Sequence, residues 1–305
     1  MSVSALRVVR PVLITPEMLV STSVPEADYG EWSAGASYSA GDRVIVAAKH
    51  KIYQSAIDAN MGNNPAVASK EPKWLEVGAT NRWKAFDKSV SSQTMQASSI
   101  SYRLKVGQAV TSLGVLNIRG ATALRVRMID PSFGTVYDRT INLASIPVSA
   151  GWYEWFLGER RTPTQALLTD LPSYPNADVL IDVTGTVELA VGVILLGQMK
   201  QFTMGVLRGA RVGIQDYSRK ERNEFGDVMV VERAFARRAN FSMLMVSGEV
   251  DAFNDFLAEV RALPCLWIGS RKYESTTVYG FYKSFDIVLN YAEYADTEIE
   301  LEGLT

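Results

Sequence analysis

Seven short runs of apolar and β-branched residues recur between turns in the middle of the chain, and this recurrence constrains the fold more than any other feature. The runs are residues 99–104, 110–118, 123–129, 135–143, 152–157, 177–183 and 187–196. In residues 123–129 apolar and basic residues alternate, which indicates a strand with one face in solvent, and a turn follows at residues 130–134. Strands at this spacing predict a jelly-roll β-sandwich over residues 80–200.

The last third of the chain combines one helical pattern with further strand patterns. Its helical stripe consists of Val250, Phe253, Phe256, Leu257 and Val260. Acidic residues precede this stripe and a proline follows it, so we predict a helix over residues 247–263. Strand patterns flank the helix at residues 227–236, 240–246, 265–269, 278–288 and 297–301. We therefore expect a strand-rich α+β domain over residues 201–305.

The first 79 residues predict two further units. Residues 1–28 contain one strand pattern, interrupted by Pro11, and a turn-rich stretch, so we predict an arm that docks on a later domain or on a neighbouring subunit. Residues 29–79 are rich in small and turn-forming residues and predict a small β domain that ends near residue 79. A chain of 305 residues has room for this organisation, and we expect a mainly β protein.

The amino-acid composition limits which binding partners and which cellular compartment we expect for this protein. The chain has 31 Lys and Arg against 33 Asp and Glu, without a long run of either sign, which argues against nucleic acid as a partner. Its longest apolar stretch, residues 187–196, is about half the ~20 residues of a membrane span, so we predict a buried strand and no membrane insertion. No export signal is recognisable. A single cysteine, Cys265, rules out an intramolecular disulfide and fits a reducing compartment.

The ionisable residues favour a protein that is not an enzyme. His50 is the only histidine and lies in a polar link between two strand patterns, where we expect a solvated turn residue rather than a catalytic base. With one histidine and one cysteine, a transition-metal site would consist almost entirely of carboxylates. We therefore predict no metal and no cofactor.

Two further segments admit both a chemical and a structural interpretation. Glu154, between Tyr153 and Trp155, suits a sugar-cleaving carboxylate pair, but a strand whose aromatic residues fill a sandwich core explains the pattern better. Residues 205–213 contain three glycines but lack the Lys-Ser/Thr of a phosphate loop, which favours a flexible crossing. Four basic residues lie in or after this crossing: Arg208, Arg211, Arg219 and Lys220. A solvated face is the preferred interpretation of these, and contact with an acidic partner subunit is the alternative.

The small β domain carries a spaced motif of aromatic and turn residues. In chain order it consists of Trp32, Tyr38, Gly41, Asp42, Val44, Tyr53, Pro65 and Trp74. This order resembles the chitin-binding-like carbohydrate-binding module of bacterial glycosidases. The resemblance implies that the Gly-Asp pair forms a turn before a strand and that aromatic residues build a miniature core, which supplies the buried area that so small a domain needs. Residues 55–61, where the family has a pair of exposed aromatic residues, contain none.

Five aromatic residues are candidates for carbohydrate binding. The resemblance contributes Trp32, Tyr38, Tyr53 and Trp74. The sandwich contributes Tyr174, which stands between two prolines in residues 170–175 that would hold its ring outward. Packing within the turn is the alternative for Tyr174.

Residues 81–87 and 278–285, with the jelly-roll pattern between them, resemble segments of tail proteins of bacteriophages and prophages. That resemblance implies a galactose-binding-like sandwich, assembly in the host cytoplasm, a place in the virion at the tail tip or baseplate, and no catalysis. It also implies other tail proteins, copies of the chain itself in a ring, and host polysaccharide as partners. We expect ring contacts from residues 1–28 and from the third domain. The alternatives are a free glycan-binding or glycan-degrading protein and a capsid or head-decoration protein.

Overall fold

The structure is a computed structural model that describes residues 5–144, 162–202, 205–222, 226–270 and 272–304. Within these ranges the chain forms large antiparallel sheets and one α-helix, which confirms the predicted mainly β fold. The predicted strand at residues 152–157, with Glu154, lies outside the described residues.

The N-terminal segment is built into the sheets of its own chain. Its elements are β1 (Arg7–Pro11), a 3₁₀ helix (Pro16–Met18) and β2 (Leu19–Thr22). Strand β1 is paired along both edges, because Arg7 lies opposite Gln201 on one side and opposite Ile268 on the other. Leu6 and Val8 are fully buried. This segment therefore packs as an internal part of the subunit.

The small domain consists of short strands around an aromatic core. Its elements are β3 (Ser37–Tyr38), β4 (Arg43–Val46), a 3₁₀ helix (Ala47–Lys49), β5 (Lys51–Ser55), β6 (Asn60–Met61) and β7 (Trp74–Ala79). Strands β4, β5 and β7 form one antiparallel sheet, and β3 pairs with β6. Gly41 has a φ of 94°, and the Asp42 carboxylate accepts a hydrogen bond of 2.7 Å from the backbone N–H of Ser39. These two residues therefore form the turn that leads into β4.

The sandwich is organised by two long bent strands. Its elements are a 3₁₀ helix (Lys84–Phe86), β8 (Thr94–Met95), β9 (Ser99–Lys105), β10 (Ser112–Asp130), β11 (Gly134–Asn142), β12 (Gln165–Leu168) and β13 (Asp178–Gln201). Strands β10 and β13 each join two runs that the sequence predicts as separate strands. The two strands pair with each other, and their register shifts near Gly120 and Gly185. A Cβ atom on Gly185 would lie 2.2 Å from the carbonyl oxygen of Gly120, so only glycine fits this crossing.

Because β10 and β13 bend, their two halves take part in two layers around one core. The first half of β10 pairs with β12, and its second half pairs with β11. The first half of β13 pairs with β9, which pairs with β2. Side chains from both halves meet in a single apolar cluster that includes Tyr102, Leu113, Val126, Ile181 and Leu196. The result is a sandwich-like arrangement.

The C-terminal region continues the sheet and adds the helix. Its elements are β14 (Arg211–Asp216), β15 (Arg219–Arg222), β16 (Val228–Val231), β17 (Phe235–Val246), a 3₁₀ helix (Ser247–Glu249), α1 (Val250–Val260), β18 (Cys265–Ile268), a 3₁₀ helix (Glu274–Thr276), β19 (Thr277–Val288) and β20 (Tyr294–Gly303). The sheet order is β13-β1-β18-β19-β20-β17-β14. The predicted helix is observed as α1, whose Phe253, Phe256, Leu257 and Val260 are buried against the sheet.

Strand β1 joins the sandwich to the C-terminal region. Its Val9 belongs to a small apolar cluster with Leu195 of β13 and Leu266 of β18. Close approach of β1 to β13 depends on Gly197, where a Cβ atom would lie 2.1 Å from the carbonyl oxygen of Arg10. One continuous sheet therefore passes from the sandwich through β1 into the C-terminal region.

Candidate functional site

Four of the predicted carbohydrate-binding residues lie in the core of the small domain. Tyr53 and Trp74 are only 8% and 7% exposed, and the half-buried Trp32 and Tyr38 pack against them. The ring centroids of Tyr38 and Trp74 are 5.2 Å apart in an edge-to-face arrangement. The Trp74 indole N–H donates a 2.9 Å hydrogen bond to the backbone oxygen of Asn63. These rings pack on one another instead of standing side by side on the surface.

Tyr174 also makes packing contacts. Its side chain is partly buried against the sandwich core, and its ring lies 5.8 Å from that of Phe133, edge to face. Phe133, at the tip of the β10–β11 turn, is 73% exposed. The more exposed ring of this pair is therefore Phe133, which the sequence places in a turn but does not single out.

His50 lies in the turn between β4 and β5, as expected, but its side chain is only 23% exposed and is not the solvated group that we expected. Its ring stacks on Trp83 with centroids 4.6 Å apart, and its Nδ1 lies 3.0 Å from Oε1 of Glu26. The Glu26 side chain is 7% exposed, and its carboxylate also accepts hydrogen bonds from the Thr80 hydroxyl (2.7 Å) and the Arg82 guanidinium (3.4 Å). We call these five residues the Glu26 network. It ties the N-terminal segment to the small domain and to the start of the sandwich.

Cys265 is fully buried at the start of β18. Burial raises the pKa of its thiol to about 12, so the thiol keeps its proton at neutral pH. Within the described residues, no group of three or more His, Cys, Asp or Glu side chains is placed to hold a metal ion. None of the helices described is long and apolar enough to cross a membrane.

An exposed β-hairpin projects from the edge of the C-terminal sheet. Strand β14 pairs with the beginning of β17, and the same two chain segments continue past the ends of these strands as β15 paired with β16. Within the described residues, β15 and β16 pair with no other strand. All eight residues of β15 and β16 are exposed. The β16 residues Val228, Met229, Val230 and Val231 are 55%, 63%, 59% and 49% exposed. We call β15 and β16 the outer arm.

The two strands of the outer arm differ in chemistry. On β15, Arg219 is ion-paired with Glu221, and Lys220 lies 2.9 Å from the carboxylate of Asp216. Hydrogen bonds from Ser218 and Lys220 hold the pKa of Asp216 well below its usual range, so this carboxylate stays ionised. Three of the four charged residues of β15, Arg219, Lys220 and Glu221, thus have ion-pair partners on β14 or β15, whereas the apolar side chains of β16 are left in solvent.

No protein-family model, curated protein or solved structure matches this chain. Its fold defines the class: a mainly β, sandwich-like protein with a projecting hairpin. Any functional assignment therefore rests on its own sequence and surfaces.

Proposed function

We propose that the protein is a structural component of a phage tail tip or baseplate and that it assembles into an oligomeric ring through the outer arm. The observation that carries the assembly step is the exposed apolar strand Val228–Val231. A two-stranded ribbon is marginally stable in water, and an apolar strand with an open edge favours pairing with another chain. The place in a tail is supported by the sequence resemblance of residues 81–87 and 278–285.

A second copy of the chain is the partner that best fits the arm. Within the described residues, β14 pairs only with β17, and the 3₁₀ helix Glu274–Thr276 is the other element that lies near it, so no strand is paired with its outer edge. Val212 and Ile214 on this strand are 44% and 61% exposed. Addition of β16 from one copy to β14 of the next would cover both apolar strands. Such a contact uses two different surfaces and closes into a ring when the rotation between copies allows it.

Two charged substitutions in the arm test this assembly. We expect Met229→Asp and Val230→Asp to convert the ring to monomers, because each places a carboxylate in the apolar contact. Mass photometry and negative-stain imaging of the full chain measure the result. Both residues are exposed in the subunit, so circular dichroism should be unchanged. Val187→Asp is the matched control, since Val187 is 80% exposed outside the arm. A wild-type monomer at all concentrations, or rings that survive both arm substitutions, would refute the arm as the contact.

Placement in the particle needs a separate measurement. Gold-labelled antibody against the protein should decorate the tail end of the phage particle. Decoration of the head would support a head protein instead, and a free protein absent from particles would support the glycan-binding alternative. Either outcome would refute the tail assignment.

A further inference from the structure

A groove lies where the sandwich meets the C-terminal region. It consists of two neighbouring clefts that share Gln165 of β12 and Thr277 of β19 in their walls. One cleft, of about 410 Å³, is lined by Tyr273 and is called the Tyr273 cleft. The other, of about 360 Å³, is lined by Phe235 and is called the Phe235 cleft. Each volume is in the range of small-ligand sites, and the shared wall allows one elongated ligand to span both.

The Tyr273 cleft presents a charged pair beside an exposed ring. A guanidinium nitrogen of Arg139 lies 2.7 Å from Oδ2 of Asp170, and the Tyr137 hydroxyl donates a 3.1 Å hydrogen bond to Oδ1. Both charged side chains are about half exposed, so they keep further donors and acceptors for a ligand. Tyr273 is 55% exposed, with Lys272 over its ring at 5.5 Å.

The Phe235 cleft contains polar groups without a partner. Arg237 is half-buried in its wall, yet its guanidinium makes no hydrogen bond or ion pair within the described residues. The side-chain amide of Gln165 likewise has no hydrogen-bond partner there. Phe235 is 52% exposed at the same cleft, and Leu116 gives it an apolar floor. Solvent reaches both groups, so their donors and acceptors can bind a ligand in the cleft.

We propose that this groove binds an acidic oligosaccharide. The exposed rings of Tyr273 and Phe235 suit stacking on pyranose faces, and the Asp170–Arg139 pair and Gln165 suit hydrogen bonds to hydroxyl groups. Arg237 has no ion-pair partner in the part of the chain that the structure describes, and a sugar carboxylate supplies one with the geometry that a guanidinium prefers. The groove uses neither the aromatic core of the small domain nor the outer arm, so this inference does not depend on ring assembly.

Calorimetric titration of the full chain tests the groove. The probes are hexasaccharides of hyaluronan, polygalacturonate and polysialic acid, with chitohexaose as the neutral probe. We expect at least one acidic probe to bind with a Kd below about 1 mM. Arg237→Met, which keeps the bulk of the side chain, should weaken that binding by about tenfold or more, which corresponds to the loss of one charge-assisted hydrogen bond. Tyr273→Ala should weaken acidic and neutral probes alike.

Arg238→Met is the matched control, because Arg238 is the exposed neighbour of Arg237 and lies beside Gly213 on β14 instead of in the groove. The affinity of Arg238→Met for the acidic probe should equal that of the wild type. The proposal fails if no acidic probe binds, or if Arg237→Met and Arg238→Met behave alike. Repeating the titration with Val230→Asp separates the two proposals. Equal affinity in the wild type and the variant would show that the groove binds the sugar whatever the state of the arm, and binding to the variant alone would show that a neighbouring copy covers the groove in the ring and would overturn the proposal for the assembled protein.

Discussion

Glu26 is a nearly buried carboxylate whose hydrogen-bond capacity is met by three residues from two other parts of the chain. His50 comes from the small domain, while Thr80 and Arg82 come from the junction that follows it. If the carboxylate is removed, these donors lose their common acceptor while they remain partly buried. Unmet buried donors cost more than the net value of the hydrogen bonds themselves.

We expect Glu26→Ala to lower the free energy of unfolding by about 2–3 kcal/mol. Chemical denaturation followed by tryptophan fluorescence measures the change, since Trp83 stacks on His50 within the network. Glu76→Ala is the control, because Glu76 is half exposed and Lys51, which is 43% exposed, is its one ion-pair partner among the described residues. That variant should cost less than about 0.5 kcal/mol. Equal losses in both variants would mean that the network has no special role.

The Cys265 thiol makes the free energy of unfolding depend on pH in the alkaline range. Burial raises its pKa from 9.0 to about 12, so between these values the native thiol keeps a proton that the unfolded chain releases. The resulting stabilisation is complete below about pH 9 and is lost as the pH rises toward 12. We expect the unfolding free energy of the wild type to fall more steeply from pH 9 to 10 than that of Cys265→Ala, by up to about 1.4 kcal/mol per pH unit. Burial also raises the pKa values of Tyr102 and Tyr279 above 10.0, and their effect, which begins as the pH approaches 10, is present in both proteins. Equal slopes would contradict the assignment.

At the scale of secondary-structure elements, glycines allow strands to bend and allow two backbones to approach each other closely. We expect Gly197→Ala to destabilise the protein by about 3 kcal/mol or more, because its Cβ atom would overlap the backbone of β1 at Arg10. Hydrogen exchange should show this loss of stability first as faster exchange of the backbone amides of β1. Gly35→Ala is the control, since nothing lies within 4 Å of its Cβ position. An unchanged exchange rate in β1 would show that the sheet relaxes around the added methyl group.

The sequence predicts the existence and type of most elements but not how they join. The stripe of α1 is legible because its period is local and its buried face is complete within 11 residues. Strands β10 and β13 are each predicted as two strands, since Gly120 and Gly185 are typical of turns in a linear pattern and only the folded crossing makes them bends. The contacts of His50 cannot be predicted from the local sequence either, because Glu26 and Trp83 lie far from it in the chain.

At the scale of the whole molecule, the candidate assembly site was the least predictable feature. A run such as Val228–Val231 has the composition of a buried strand, and nothing local distinguishes burial inside the subunit from burial between subunits. Residues 1–28 present the converse case. The expectation of ring contacts from them stays a prediction, but β1 is paired along both edges within its own subunit, so such contacts would have to come from other residues of the segment. The expectation of contacts from the third domain stays a prediction, and the outer arm now gives it a specific location.

The double pairing of β1 also has a consequence for the order of folding. Arg7 and Gln201 are separated by 194 residues, and Arg10 and Glu259 of α1 by 249, so β1 makes its contacts across most of the chain. Contacts of such high sequence separation close late and slowly, because the entropy of the long loops is lost before the contacts form. Until then the neighbouring edges of β13 and β18 stand open as templates for strand addition. A β1 strand from a second nascent chain can compete for the same position between β13 and β18. We therefore expect domain-swapped dimers as the misfolded product at high protein concentration.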